Sequence, residues 1–171
     1  VNLKNFDTAN VKSMNKMFAN CMSLESLDLS NFNTIRLKEM YAMFYNCKQL
    51  KELKVNKFNT EKVITNDKLF EGCTNLNKIT NWGTKPQIGE QAFKSTGFTT
   101  IEIPSDTKSI GTQAFIGCTQ LTEVIYKGTT NPTCSSDVFE TSVTLVIGND
   151  TTDVLFAILN ISTGILGYKM V

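Results

Sequence analysis

Five cysteines, Cys21, Cys47, Cys73, Cys118 and Cys134, are the most chemically capable residues of this 171-residue chain. A thiolate acts as nucleophile or metal ligand when a nearby cation, base or helix N-terminus lowers its pKa. No CxxC pair occurs, so the spacing matches neither a zinc site nor a densely stapled small secreted scaffold. The chain has no histidine, which removes the usual general base, the commonest zinc ligand and every histidine-activated nucleophile. Two carboxylate pairs remain, Asp67 with Glu71 and Asp150 with Asp153. Such pairs can divide acid and base work, but isolated ones are ordinarily solvated surface, and that is how these are read. Neither GxGxxG, nor a Walker-type GxxxxGKS loop, nor a DxDxDG calcium loop is present. No catalytic residue, cofactor or metal is therefore expected, and a Ser-Lys or carboxylate enzyme stands only as an alternative.

Charge narrows the partners as well. Lys+Arg 17 against Asp+Glu 16 gives a net charge of +1, too little field to attract nucleic acid or an anionic membrane. The 41% apolar content is that of an ordinary folded protein.

The spacing of the cysteines belongs to a larger pattern. Cys21, Cys47 and Cys73 recur at a step of 26 residues. So do Phe6, Phe32 and Phe58; Phe18, Phe44 and Phe70; Leu24, Leu50 and Leu76; and Leu27, Leu53 and Ile79. A fixed period of this length marks a solenoid, in which each unit buries its apolar face only against its neighbours. Val11, Met14, Phe18 and Cys21 fall at i, i+3, i+7 and i+10 with Met17 beside them, and Leu37, Met40, Phe44 and Cys47 repeat the spacing; this predicts a short helix. After the cysteine the period drops to two, as in Leu27-Asp28-Leu29-Ser30, which predicts a short half-buried strand. Asn66 stands in the slot of Met14 and Met40, so the third helix is expected to be shorter or distorted.

Beyond Trp82, read as packing at a junction, the step shortens to 22 to 23 residues. Ile88, Ala92, Phe93, Phe98, Ile101 and Ile103 recur as Ile110, Ala114, Phe115, Leu121, Val124 and Tyr126, and Val138, Phe139 and Val143 begin a weaker copy. All five cysteines fall on core positions, Cys134 in the slot of Ile88 and Ile110, and are expected to be small buried hydrophobes. The expected fold is an α/β leucine-rich-repeat solenoid with a parallel sheet of short strands on one face and short helices or helical turns on the other. Residues 1–82 carry the longer repeat, 83–148 the shorter, and 149–171 a C-terminal cap or tail, in one continuous solenoid. Val1 to Phe6 superimposes on Leu27 to Phe32, so the array is expected to begin upstream of Val1.

The segment NFDTANVKSMNKMFANCMSLESLDLSNFNT resembles the 26-residue surface-protein repeat, and IGTQAFIGCTQLTEVIYKG resembles the shorter BspA-like leucine-rich repeat. The resemblance covers roughly residues 1 to 148 and weakens at Asn66, Trp82 and the tail. It implies a cell-surface or extracellular protein that binds a protein or matrix ligand in adhesion or host interaction. The alternative is a spacer or stalk that presents another domain.

With strands stacked in parallel, Asn2, Asp28, Lys54, Thr80, Glu102 and Ile125 form the expected binding column on the exposed strand face. Ser26, Glu52, Lys78, Thr100 and Glu123 flank it. Residues 154–171 are the most apolar run, interrupted by Asn160, Ser162, Thr163 and Lys169; a cap is expected, and membrane contact follows only if the run is an anchor. The sequons at Asn149 and Asn160 have meaning only in a secreted eukaryotic chain.

Overall fold

The alternating segments form strands, and among the described residues every strand pairing is parallel. In chain order they are β1 (Ser26–Asp28), β2 (Glu52–Lys54), β3 (Lys78–Thr80), β4 (Gln87–Ile88) and β5 (Thr100–Ile103), then β6 (Ser109–Ile110), β7 (Glu123–Tyr126), β8 (Thr133–Cys134), β9 (Thr144–Ile147) and β10 (Gly167–Met170). They come from a computed structural model that describes residues 3, 5–55, 58–80, 87–126, 128, 130, 132–135, 137–139, 143–147 and 167–170. Three sheets result, ordered β1-β2-β3, β4-β6-β8 and β10-β9-β7-β5. Leu27 stands opposite Leu53 and Leu53 opposite Ile79. Since side chains alternate across a strand, Leu27 and Leu53 turn into the core while Asp28 and Lys54 face water.

The helical expectation is corrected: among the described residues there is no α-helix. The amides of Met14, Lys16, Phe18 and Asn20 donate to the carbonyls of Glu39, Tyr41, Met43 and Tyr45 in the next coil, at 2.8, 2.9, 2.9 and 2.7 Å. The intervening amides of Met17, Ala19 and Cys21 donate three residues back, to Met14, Lys16 and Phe18. An α-helix needs each amide bonded four residues back within its own segment, and here half of them are engaged between coils. Left-handed residues recur in step, with φ of 56° and 61° at Lys16 and Asn20, 52° and 59° at Ala42 and Asn46, and 57° and 77° at Lys68 and Gly72. Each one interrupts any right-handed helix. The result is a ribbon of tight turns whose inward positions, such as Met40, Phe44, Cys47 and Leu50, also fall three or four apart. Apolar spacing alone does not separate it from a helix.

The core is built of stacked columns. Phe18, Phe44, Phe70, Phe93, Phe115 and Phe139 form one, with ring centroids 5.6 Å apart for the first pair and 5.2 Å for each pair thereafter. The column crosses the change of coil length without a break. A second column had no counterpart in the apolar pattern: Thr8, Thr34 and Thr60 are buried. Thr34 Oγ1 donates to the Asn59 carbonyl (3.2 Å) and accepts from the Asn59 amide (2.7 Å), and Thr8 does the same with Asn33. A hydroxyl is both donor and acceptor, so one side chain closes two backbone groups of the following coil.

Several residues depart from expectation. Phe6 is 54% exposed although Phe32 and Phe58 are buried, and Met17 is exposed while Met43 is buried. Both exposed residues belong to the first described coil. Asn66 is buried, and its Nδ2 donates to the Gln87 carbonyl of β4; the polar residue in a methionine slot ties the last long coil to the first short one. It sits in a turn ribbon like those before it, not in a distorted helix. Trp82, Asn149, Asn160 and residues 148–166 lie outside the described residues, while β10 adds to the edge of the sheet beside β9.

Candidate functional site

The thiols are mostly structural. Cys47, Cys73 and Cys118 are buried, and each donates its S–H, at 3.0 Å, to a phenylalanine carbonyl of the preceding coil: Phe18, Phe44 and Phe93. Burial pushes the Cys118 thiol up, against the Thr96 hydroxyl beside it. A hydrogen bond with Cys47, then burial, pushes Cys73 far up. Neither change favours a reactive thiolate. Two sulfurs depart from the expected buried state, since Cys134 is half-buried and Cys21 is exposed. Cys21 belongs to the first described coil, and no hydrogen bond like those of Cys47, Cys73 and Cys118 covers it among the described residues.

The carboxylate pair of Asp67 and Glu71 is not plain solvated surface; both are half-buried ties between coils. Asp67 Oδ1 accepts from the Glu90 amide at 2.9 Å. Glu71 holds Lys68 at 3.8 Å and Lys94 at 3.6 Å. Asp150 and Asp153 lie outside the described residues. Among the described residues no group of three or more histidine, cysteine, aspartate or glutamate side chains converges to hold a metal ion.

On the strand face, β1, β2 and β3 bring Asp28, Lys54 and Thr80 into one register, with Ser26, Glu52 and Lys78 alongside. Glu52 and Lys78 form an ion pair at 3.5 Å. The Asp28 carboxylate also accepts from the Ser30 amide at 2.9 Å, which ends the strand in a local turn. Glu102 and Ile125 stand opposite each other on β5 and β7, Glu102 exposed and Ile125 half-buried. Among the described residues these two sets belong to separate sheets. The change in coil length falls between β3 and β5, and β4 intervenes. Asn2 lies outside the described residues.

The turn-ribbon face holds a feature absent from the sequence reading: an open cleft of about 230 Å³ lined by Lys16, Ala19, Asn20, Tyr41, Ala42, Tyr45 and Lys68. It arises from the register of side-chain sizes. Lys16, Ala42 and Lys68 occupy the same left-handed position in successive coils, so the small methyl of Ala42 leaves a dent between two lysines. Tyr41 and Tyr45 wall it from the second coil, and the Lys16 ammonium lies 5.7 Å from the Tyr41 ring centroid. The signal in the sequence was alanine in a step-26 slot otherwise filled by lysine, flanked by tyrosines.

Comparison with known proteins places this geometry. Over 93% of its length the chain matches a leucine-rich repeat protein from Bacteroides ovatus, with a TM-score of 0.55 and 20% identity. A leucine rich cell surface protein from Faecalibacterium prausnitzii matches over 91% of the chain with a TM-score of 0.49 and 16% identity. The chain spans 41% of the first protein and 57% of the second. No curated protein matches it. The likeness to the Bacteroides protein shows the leucine-rich-repeat fold that the BspA-like resemblance implied. A family profile described as "Mycoplasma protein of unknown function, DUF285" matches residues 1–97, more than half of the chain, and the chain belongs to that family.

Proposed function

We propose that this chain is the ligand-binding segment of a cell-surface or secreted repeat protein, engaging a protein or matrix partner through its exposed coil faces and catalysing no reaction. The observation that carries the reading is the strand register, which holds Asp28, Lys54 and Thr80 in a row beside Ser26, Glu52 and Lys78 on a hydrogen-bonded frame. Side chains on such a ladder repeat at the spacing of adjacent strands, about 4.8 Å, and need little further ordering when a partner docks. The groups capable of chemistry support a structural role. The buried thiols bond to backbone carbonyls, and Glu71 is engaged by two lysines.

The test is binding of the purified chain to a panel of extracellular-matrix proteins by surface plasmon resonance. The double reversal Asp28→Lys with Lys54→Glu and the single change Glu102→Lys are run beside it, after circular dichroism has verified their fold. Reversal at a docking patch is expected to weaken binding about tenfold or more. Binding unchanged by every reversal sinks the strand-face reading. A chain that binds no member of the panel is better described as a spacer. A broad hydrolase screen is expected to show no turnover.

A further inference from the structure

The cleft on the turn-ribbon face carries a more specific chemistry than the strand face does. Its lining contains two ammonium groups, one carboxamide, two phenols and two methyls, with no carboxylate. The two acids on either side of Lys68 in the chain are committed elsewhere. Asp67 accepts from the Glu90 amide of the following coil, and Glu71 is shared between Lys68 and Lys94, so two ammonium groups face one carboxylate there. Lys16, on the other rim, is held over the Tyr41 ring. Asn20 Oδ1 accepts from Asn46 Nδ2 at 3.1 Å, which leaves the Asn20 Nδ2 as the donor that this amide presents. Tyr45 is 36% exposed, so part of its ring is open to water.

From this arrangement we infer that the cleft binds a carboxylate-bearing sugar ring, such as a uronic or sialic acid unit of a glycan. The volume is below the roughly 300 Å³ at which pockets begin to enclose drug-sized ligands, which suits one ring rather than an extended peptide. Tyrosine offers a flat apolar face with a polar tip, and two of them flanking a floor of alanine methyls match the C–H face and hydroxyl edge of a saturated sugar. The lysines meet its carboxylate through charge-assisted hydrogen bonds. This site lies on a different face from the proposed protein-docking patch, and either can fail without the other.

The experiment is a ¹H–¹⁵N titration of the whole chain with methyl β-glucuronide and, separately, methyl sialoside. Methyl β-glucoside serves as the neutral analogue, and acetate and N-acetylglutamate as non-sugar acids. Saturable shifts at Lys16, Ala42, Tyr45 and Lys68 are expected with one of the acidic sugars, and the responding sugar distinguishes the two sources. Binding is expected to weaken at least about tenfold for the neutral glucoside, which lacks the carboxylate that the lysines meet. Two variants locate the site. Ala42→Gln fills the cleft with a residue that the fold already carries at left-handed φ, at Gln91 and Gln113. Tyr45→Ala removes a wall. Each is expected to weaken binding at least about tenfold. The assignment is overturned by an absence of saturable shifts with both sugars, by acetate or N-acetylglutamate binding as well as they do, or by binding that survives Ala42→Gln.

Discussion

Reaction of the native chain with a thiol reagent at pH 8 separates its five cysteines by their places in the stack. Cys21 is exposed; slight desolvation, and then the neighbouring Cys47, raise its pKa, so it reacts first yet more slowly than a thiol in a short peptide. Cys134 is half-buried, and burial holds its thiol at about 11. An ordinary thiol of pKa about 8.5 is roughly one-quarter thiolate at pH 8, against about one part in a thousand for a pKa of about 11. At pH 8 the thiolate fraction of Cys134 is therefore roughly two-hundredfold below that of an ordinary thiol, and although a thiolate of higher pKa is the stronger nucleophile, Cys134 should label more slowly, before any steric slowing. Its rate should climb about tenfold per pH unit up to about pH 11, where an ordinary thiol has already levelled off. Cys47, Cys73 and Cys118, bonded to the Phe18, Phe44 and Phe93 carbonyls, require the coils to open. Mass spectrometry of digests taken through the time course should show one fast site, one slow pH-dependent site, and three sites modified only in denaturant. Fast labelling of three or more cysteines, or of Cys47 before Cys134, would refute the account of a dry stacked interior. The same shift sets a stability trend. An unfolded thiol loses its proton near pH 8.5 while folded Cys134 keeps it to about 11. The folded state binds more protons across that window, and its contribution to stability falls as pH rises through it.

Two further predictions address the columns. Phe44 is fully buried between Phe18 and Phe70, so Phe44→Ala should cost about 3–5 kcal/mol in urea unfolding. Phe18→Ala, at a residue 9% exposed in the first coil, should cost less, and equal losses would contradict a column cooperative along its length. Thr34→Val keeps the shape but leaves the Asn59 amide and carbonyl without their partner; it should cost about 1–3 kcal/mol, and a neutral or stabilising change would show that the hydroxyl ladder is dispensable.

The order of the coils and most of the core were legible because stacking demands that equivalent residues recur. Leu27, Leu53 and Ile79, spaced at 26 in the chain, sit directly opposite one another in the sheet. Period-two alternation placed the strands correctly for the same local reason. The helices were misread because a ribbon of turns with left-handed residues at Lys16, Asn20, Ala42 and Asn46 turns its side chains inward every three or four residues, as a helix does. Only the destination of the amides distinguishes the two. Thr8, Thr34 and Thr60 were overlooked because hydropathy counts threonine as polar, whereas all three are buried and the hydroxyls of Thr8 and Thr34 are satisfied by the backbone of the next coil.

Repetition in the amino-acid order was enough to dictate a solenoid, its period, and which side chains would line its interior, since those properties follow from each coil meeting a near copy of itself. Tertiary structure alone decided where one sheet stops and another starts, which cysteines reach water, and that Ala42 lies in a dent between Lys16 and Lys68 with a tyrosine on either side. These outcomes depend on how unlike residues in adjacent coils fill shared space, and a one-dimensional pattern does not encode that relation.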